Sequence, residues 1–162
     1  MNWQLKKATT LRGMHIGDLV YPDQTGFMKG REAKDNTIRA LHLLHWMQHG
    51  PEKAPKIVLS MDAEKAFDRV NWGFMSEVLR GVGLGDRMMG WVMALYAGPR
   101  ARVKVNGTIS DYLNIRNGTR QSCPLSPLIF ALILEPFLCK IRSNGEIVGT
   151  CIGDVEQSIG LC

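Results

Sequence analysis

The fold class is decided by a stretch near the middle of the chain, Val103-Lys104-Val105-Asn106-Gly107-Thr108-Ile109. An Asn-Gly pair between two segments of β-forming residues is the strongest short-range signal for a two-residue β-hairpin. We therefore predict that the chain leaves one strand at Val105 and returns in a second over 109–116. Because helical patterns lie on both sides of this hairpin, the sequence predicts an α+β fold with a small antiparallel sheet packed by helices.

The flanking helices are marked by their capping residues. Asn71 and Asp86 are predicted caps, and each precedes apolar residues with helical spacing. Beyond the hairpin, Ser126-Pro127 combines a cap residue with a proline suited to the first helical position. This pair predicts a helix from Leu128 to about Ile141, kinked at Pro136 because proline removes one backbone hydrogen bond.

A further helix is predicted nearer the N-terminus, from Asp35 or Asn36 to about Gln48. Its apolar residues share one face by spacing: Ile38, Leu41, Leu44 and Met47. Its histidines lie at positions i, i+3 and i+7: His42, His45 and His49. This spacing would suit zinc, but no fourth ligand is evident, so a polar helix face is the preferred interpretation.

A strand is predicted over 56–61, and Asp62 follows it directly. A carboxylate fixed at the end of a buried strand is well placed to hold a divalent cation. An aspartate after a strand also commonly caps the next helix, so position alone leaves both interpretations open. The loop from Asn117 to Pro127 is similarly open, either a phosphate-favouring helix start or a rigid connector.

Composition and charge limit the classes of protein to which the chain can belong. The 162 residues include 45% hydrophobic and 22% charged residues, which predicts one globular domain and argues against disorder. The longest apolar run, Leu128 to Leu134, is too short for a membrane helix, and no secretory signal is visible. We expect an intracellular protein, in nucleus or cytoplasm, with reduced thiols. Twenty Lys and Arg against fifteen Asp and Glu give a net charge of +5, which suits a polyanionic partner.

Three segments occur in order and at fitting intervals: Gln24-Thr25-Gly26-Phe27 through Arg31, Leu59-Ser60-Met61-Asp62 through Asp68, and Gly118-Thr119-Arg120-Gln121 through Pro127. Together they resemble the reverse transcriptase of LINE-type non-LTR retrotransposons. The resemblance covers residues 21–162 and leaves residues 1–20 as an unmatched N-terminal segment. It implies part of the fingers and palm of a right-hand polymerase. The implied activity is RNA-directed DNA synthesis by two-metal nucleotidyl transfer.

The resemblance assigns roles by position. Asp62 matches the first metal-binding aspartate of the palm, and Ala63 would offer its backbone carbonyl to a metal. Phe67 matches the aromatic residue beneath the sugar of the incoming nucleotide, where it excludes a 2′-hydroxyl. Gln121 matches the amide that lines the nucleotide pocket.

The same resemblance places a second group along the template and primer. Arg120, Cys123 and Pro124 belong to the loop and helix start there, and Arg31 to the segment that joins fingers to palm. Ser122 stands where the family usually has glycine. A β-carbon restricts the backbone at that position, so we expect weaker nucleotide binding.

The implied cofactor is Mg²⁺, and the implied partners are an RNA template, a DNA primer and deoxynucleoside triphosphates, with no membrane. The paired aspartates of the family's next catalytic segment do not occur in the 162 residues. We therefore expect the chain to bind Mg²⁺ weakly or not at all, and to be inactive without the remainder of the polymerase domain. The alternatives are a non-catalytic nucleic-acid-binding remnant and a non-functional product of a decayed element.

Overall fold

The computed structural model describes residues 16–50, 55–147, 149–152 and 155–157. Its helices are α1 (Ile16–Leu19), α2 (Ala33–His49), α3 (Trp72–Gly81), α4 (Asp86–Ala94) and α5 (Leu125–Arg142). Its strands are β1 (Arg100–Ala101), β2 (Lys104–Val105), β3 (Thr108–Ile109), β4 (Leu113–Asn114), β5 (Thr150–Ile152) and β6 (Val155–Gln157). They form three two-stranded antiparallel sheets, β1–β4, β2–β3 and β5–β6. The prediction of a mixed α+β fold is confirmed at this level.

The central turn forms where the sequence predicts it, but the single return strand predicted over 109–116 is wrong. The chain forms two short strands there, β3, which pairs with β2, and β4, which pairs with β1. Val105 pairs with Thr108 across a two-residue turn. Asn106 and Gly107 both adopt positive φ, +48° and +84°, as a primed hairpin turn requires. The regular pairing of β2 with β3 stops after two residue pairs. Beyond it, the Ser110 N–H donates a hydrogen bond to the Val103 carbonyl at 2.9 Å.

The two helices before the hairpin pack against each other. The Asn71 side chain accepts a hydrogen bond from the N–H of Phe74 at 3.0 Å, which confirms the predicted cap of α3. The predicted cap of α4 is displaced by one residue, since Gly85 is the cap and Asp86 the first helical residue. The apolar face of α3 is fully buried at Met75, Val78 and Leu79, and the apolar face of α4 is buried at Met89 and Val92.

Helix α5 begins one turn earlier than predicted. It starts at Leu125, so Ser126 lies inside the first turn and does not cap it. The Ser126 hydroxyl instead donates to the Arg120 carbonyl at 2.7 Å and ties the helix start to the preceding loop. Pro136 lies inside the helix, as the sequence predicts.

The predicted apolar face of α2 is wrong. Ile38, Leu41 and Leu44 are exposed, whereas Leu43 and Asn36 are buried. The helix is oriented by a polar contact that hydrophobic spacing does not reveal. The Asn36 amide donates to the Asp23 carbonyl at 2.7 Å and to the Thr25 hydroxyl at 3.2 Å.

The predicted buried strand over 56–61 is also wrong. This segment carries no strand hydrogen bonding among the described residues. Its apolar side chains face solvent, with Ile57 92% and Leu59 73% exposed. A strand is stable only when a neighbour pairs with its backbone, and the described residues supply no such neighbour here.

The described residues fall into two compact units. One is Lys65–Ile133, with a core built by α3, α4 and the start of α5. The other combines residues up to Glu64 with those from Leu134 onward, and in it α2 packs against β5. The described helices include none long and apolar enough to cross a membrane.

The structure describes only part of the residues near the two ends of the chain. Residues 14–18 gave no clear prediction, and α1 forms there from Ile16. The sequence also predicts short strands at 147–148 and 155–161, because both stretches contain β-branched residues, but Ile147 lies in a bend before β5. The strand predicted from Val155 begins there as β6, and its predicted continuation over 158–161 lies outside the described residues. Most of the N-terminal segment 1–20 lies outside the described residues too.

Candidate functional site

Two segments about fifty residues apart meet inside the Lys65–Ile133 unit. The first is the turn that ends at Val70, and the second is the loop that begins at Asn117. The Thr119 N–H donates to the Phe67 carbonyl at 2.7 Å, and the Gly118 N–H donates to the Val70 carbonyl at 2.8 Å. These backbone bonds hold together two of the three segments on which the family resemblance rests.

Gly118 makes this contact sterically possible. A β-carbon at this position would lie 2.9 Å from the Asp68 carbonyl oxygen, closer than real side chains approach. Its φ of +91° also belongs to the region that favours glycine. On its other side, the Trp72 indole N–H donates to the Gly118 carbonyl at 2.8 Å. The loop is therefore fixed to the end of the turn and to the start of α3.

The predicted nucleotide-pocket residues Phe67 and Gln121 lie in this contact. The Gln121 amide nitrogen donates to the Asp68 carboxylate at 3.3 Å. The ring centroids of Phe67 and Phe130 are 4.7 Å apart, so the first turns of α5 support the half-buried Phe67 ring. The structure thus brings Phe67 and Gln121 to one place through the neighbouring Asp68.

The loop between Gln121 and α5 is exposed and conformationally constrained. Arg120, Ser122 and Pro124 face solvent. Ser122 has a φ of +60°, in the left-handed region that favours glycine. The backbone of Ser122 therefore adopts a conformation that a β-carbon disfavours, in agreement with the expectation for this position.

Cys123 lies just before α5 and is a free thiol. Its pKa is lowered from the ordinary value, first because the backbone N–H of Leu125 hydrogen-bonds to the sulfur. The Ser126 hydroxyl and the charge of Arg120 act in the same direction. Nearby, burial raises the pKa of Tyr96. The hydrogen-bond donors at the start of α5 therefore favour the thiolate form of Cys123.

Asp62 and Ala63 belong to the other unit, where both are exposed in a non-helical segment. A carboxylate and a carbonyl are suitable oxygen ligands for Mg²⁺, which completes its shell with waters and substrate phosphates. Among the described residues, no three His, Cys, Asp or Glu side chains lie close enough together to hold a metal. The described residues therefore do not by themselves fit a two-metal centre.

Arg31 is engaged within its own segment. Its Nη1 donates to the carbonyls of Tyr21 and Gln24, both at 2.7 Å. Its Nη2 donates to the carbonyls of Gly17 at 2.7 Å and Val20 at 3.2 Å. Four carbonyls occupy the four Nη–H groups, so the side chain organises the loop and has only Nε–H left for another partner.

Sequence patterns did not single out Asp68, Trp72 or Gly118 as parts of this contact. Asp68 lies in the turn, and its carboxylate accepts a hydrogen bond from Gln121. A glycine after an asparagine in a polar loop is the one available signal for Gly118. The histidines of α2 show another arrangement, since the His45 and His49 rings stack at 4.4 Å and His49 Nδ1 lies 3.0 Å from the His45 carbonyl.

Comparison with known proteins supports the family resemblance that the three ordered segments indicate. The sequence profile of the reverse transcriptase (RNA-dependent DNA polymerase) family matches residues 2–152. A 149 kDa protein of transposon TX1 from Xenopus laevis is 36% identical over 140 residues, which are 85% of this chain and 10% of that protein.

Two further relatives are Pol polyproteins of R2 retrotransposable elements. The one from Drosophila melanogaster is 29% identical over 133 residues, which are 81% of this chain and 12% of the relative. One from Popillia japonica is 31% identical over 87 residues, which are 54% of this chain and 14% of the relative. The chain thus spans about a tenth to a seventh of these relatives, and it belongs to the reverse transcriptase family of non-LTR retrotransposons.

Proposed function

We propose that this chain supplies part of the nucleotide site and the template–primer loop of an RNA-directed DNA polymerase. The observation that carries the proposal is the contact between the Phe67 turn and the Gln121 loop. These are the two positions to which the family resemblance assigns the incoming nucleotide, and hydrogen bonds of 2.7–3.3 Å hold their segments together. The substrates would be an RNA template, a DNA primer and deoxynucleoside triphosphates. Because these substrates occur inside cells, we propose that the protein acts there.

The geometry supports a steric role for Phe67. Its ring packs against Phe130, so it resists displacement by a bulkier sugar. A rigid aromatic discriminates by clash, and this is an effective way to reject a substrate with one extra hydroxyl. Gln121 is positioned by Asp68, so its amide presents a fixed polar group to the nucleotide.

Mg²⁺ is the cofactor we propose for the intact polymerase domain, with Asp62 and the Ala63 carbonyl as ligands in the fingers and palm arrangement of the family. The ion would neutralise phosphate charge during transfer. Since these two groups are an incomplete ligand set, we expect the 162-residue polypeptide alone to bind nucleotide and nucleic acid without polymerising.

Nucleotide binding by the purified 162-residue chain tests the proposal. Saturation-transfer NMR with a deoxynucleoside triphosphate and its ribose counterpart measures both affinities. We expect Gln121→Ala to weaken both severalfold, and Phe67→Val to reduce the preference for the deoxy form. Gln48→Ala, at an exposed position on α2, is the matched control for loss of an amide. Wild-type affinity in both site variants would overturn the nucleotide-site assignment.

Primer extension on an RNA template with Mg²⁺ tests the expected inactivity. No extension above background is the expected result. Robust DNA synthesis that Asp62→Asn abolishes would show instead that the chain is a complete catalyst. Binding of template–primer with no binding of nucleotide would agree with the second candidate, a non-catalytic nucleic-acid-binding protein, which the net charge of +5 favours.

A further inference from the structure

An unusual cluster of cations lies on the exposed hairpin, away from the Phe67–Gln121 contact in sequence. The guanidinium carbons of Arg100 and Arg102 each lie 4.9 Å from the ring centroid of Tyr112. Two arginines therefore share one aromatic ring, and that ring is 60% exposed. We call these three residues the Arg–Tyr–Arg cluster.

The cluster is not neutralised inside the described part of the chain. Neither arginine there has a carboxylate within ion-pair distance, whereas Arg39 and Arg142 do, in Asp23 and Glu135. Arg102 donates its Nε–H to the Ser110 carbonyl at 2.8 Å, which fixes the side chain and leaves its Nη groups available. The two guanidinium groups at this ring repel each other, and a bound anion would relieve that repulsion.

The net positive charge of the chain falls within residues 65–133, the stretch that contains this cluster. Residues 65–133 contain nine Lys and Arg against four Asp and Glu, a net charge of +5. The rest of the chain contains eleven of each and is neutral. The hairpin itself, 100–116, carries Arg100, Arg102, Lys104 and Arg116 against Asp111 alone. A polyanion would therefore be attracted to this unit and to this hairpin in particular.

We propose that the Arg–Tyr–Arg cluster binds the sugar–phosphate backbone of the nucleic acid, as a contact additional to the template–primer loop. Planar guanidinium groups bind phosphate oxygens in a bidentate manner, and the tyrosine ring limits their motion. Because both guanidinium groups converge on the Tyr112 ring, they present their donors side by side to one stretch of sugar–phosphate backbone. The inference rests on the proposed function, because it presumes a nucleic-acid substrate.

Fluorescence anisotropy of a labelled RNA–DNA duplex, titrated with the 162-residue chain at several salt concentrations, tests the cluster. We expect Arg100→Gln/Arg102→Gln to weaken binding about tenfold at low salt. It should also reduce the slope of log affinity against log salt by about 1 to 2, since each lost phosphate contact removes about 0.7–0.9. The control is Arg80→Gln/Arg87→Gln, which removes the same charge from exposed helical positions of the same unit.

The outcomes separate the two proposals. Equal weakening by both double variants would mean that only net charge matters and would overturn the cluster as a site. Competition by polyglutamate as effective as that by unlabelled RNA would identify a general acid-binding surface and would overturn it too. Circular dichroism of each variant verifies the fold, and Arg100→Lys/Arg102→Lys should retain most of the salt slope. If the wild-type chain binds neither the duplex nor a nucleotide, the proposed function itself is contradicted.

Discussion

At the scale of single residues, side-chain identity matters most where one group satisfies several backbone atoms. Arg31 is the clearest case, because a side chain with fewer hydrogen-bond donors could not replace its guanidinium. Four carbonyls between Gly17 and Gln24 converge on it at 2.7–3.2 Å. The family resemblance predicts that this residue belongs to a segment joining fingers to palm, and the structure gives a local reason for an arginine there.

We expect Arg31→Lys to destabilise the chain by about 3 kcal/mol. Lysine keeps the charge, but one ammonium nitrogen cannot reach all four carbonyls, and hydrogen bonds from charged groups are worth about 1.5–3 kcal/mol each. Urea denaturation measures the free energy of unfolding. Arg80→Lys, at an exposed position on α3, should change it by less than about 0.5 kcal/mol. A similarly small change for Arg31→Lys would contradict the role.

Ser122 offers a second prediction, because its φ is +60°. Left-handed backbone costs a residue with a β-carbon about 1–2 kcal/mol, while glycine costs more entropy in the unfolded chain. Ser122→Gly should therefore stabilise the fold by up to about 1 kcal/mol, whereas Ser122→Ala, which keeps the β-carbon, should not. Thermal unfolding of both variants checks this. A loss of stability in the glycine variant would show that the serine hydroxyl is needed.

The two described free cysteines should differ in reactivity with pH. Hydrogen bonding by the Leu125 N–H lowers the pKa of Cys123, and burial raises the pKa of Cys139. As pH falls from 9 towards 7, Cys123 should keep more reactive thiolate, since a depressed pKa shifts its titration to lower pH. Iodoacetamide labelling followed by peptide mass spectrometry should show Cys123 modified faster at pH 7. Equal rates in the folded chain would be inconsistent with this, and equal rates in urea are the expected control.

At the scale of elements, Gly118 joins the turn after Glu64 to the loop before α5. Gly118→Ala should cost about 2–4 kcal/mol, because the new β-carbon meets the Asp68 backbone at 2.9 Å and also sits at positive φ. Gly107→Ala separates these causes. Its φ is +84°, but no atom lies within 4 Å of the added carbon, so about 1–2 kcal/mol is expected. Equal losses in urea denaturation would mean that the close approach contributes nothing.

Elements that depend on neighbouring residues could be predicted from the sequence, and those that depend on distant ones could not. The Asn106-Gly107 turn and the Asn71 cap are decided within a few residues, and both are confirmed. The strand over 56–61 fails because strand formation needs a partner elsewhere in the chain. The Phe67–Gln121 contact was reached through resemblance to a family, since no local pattern links residues fifty positions apart.

At the scale of the whole molecule, charge is divided unevenly along the chain. Residues 65–133 hold the entire excess of +5, and the remainder is neutral. Electrostatic attraction is not sequence-specific and is screened by salt, with a Debye length of about 10 Å at 0.1 M. A bound nucleic acid should thus contact one unit and leave α2, in the other, free.

Hydrogen–deuterium exchange tests this asymmetry directly. Adding an RNA–DNA duplex at low salt should slow exchange severalfold in peptides covering 100–121, because bound phosphates exclude water from the hairpin and from the loop after it. Peptides from α2 should exchange at the same rate with and without the duplex. At 1 M salt the difference should disappear, since release of counterions no longer favours binding. Slowing of equal size in both units would mean that the duplex stabilises the chain as a whole, and the unequal distribution of charge would then have no part in choosing the binding surface.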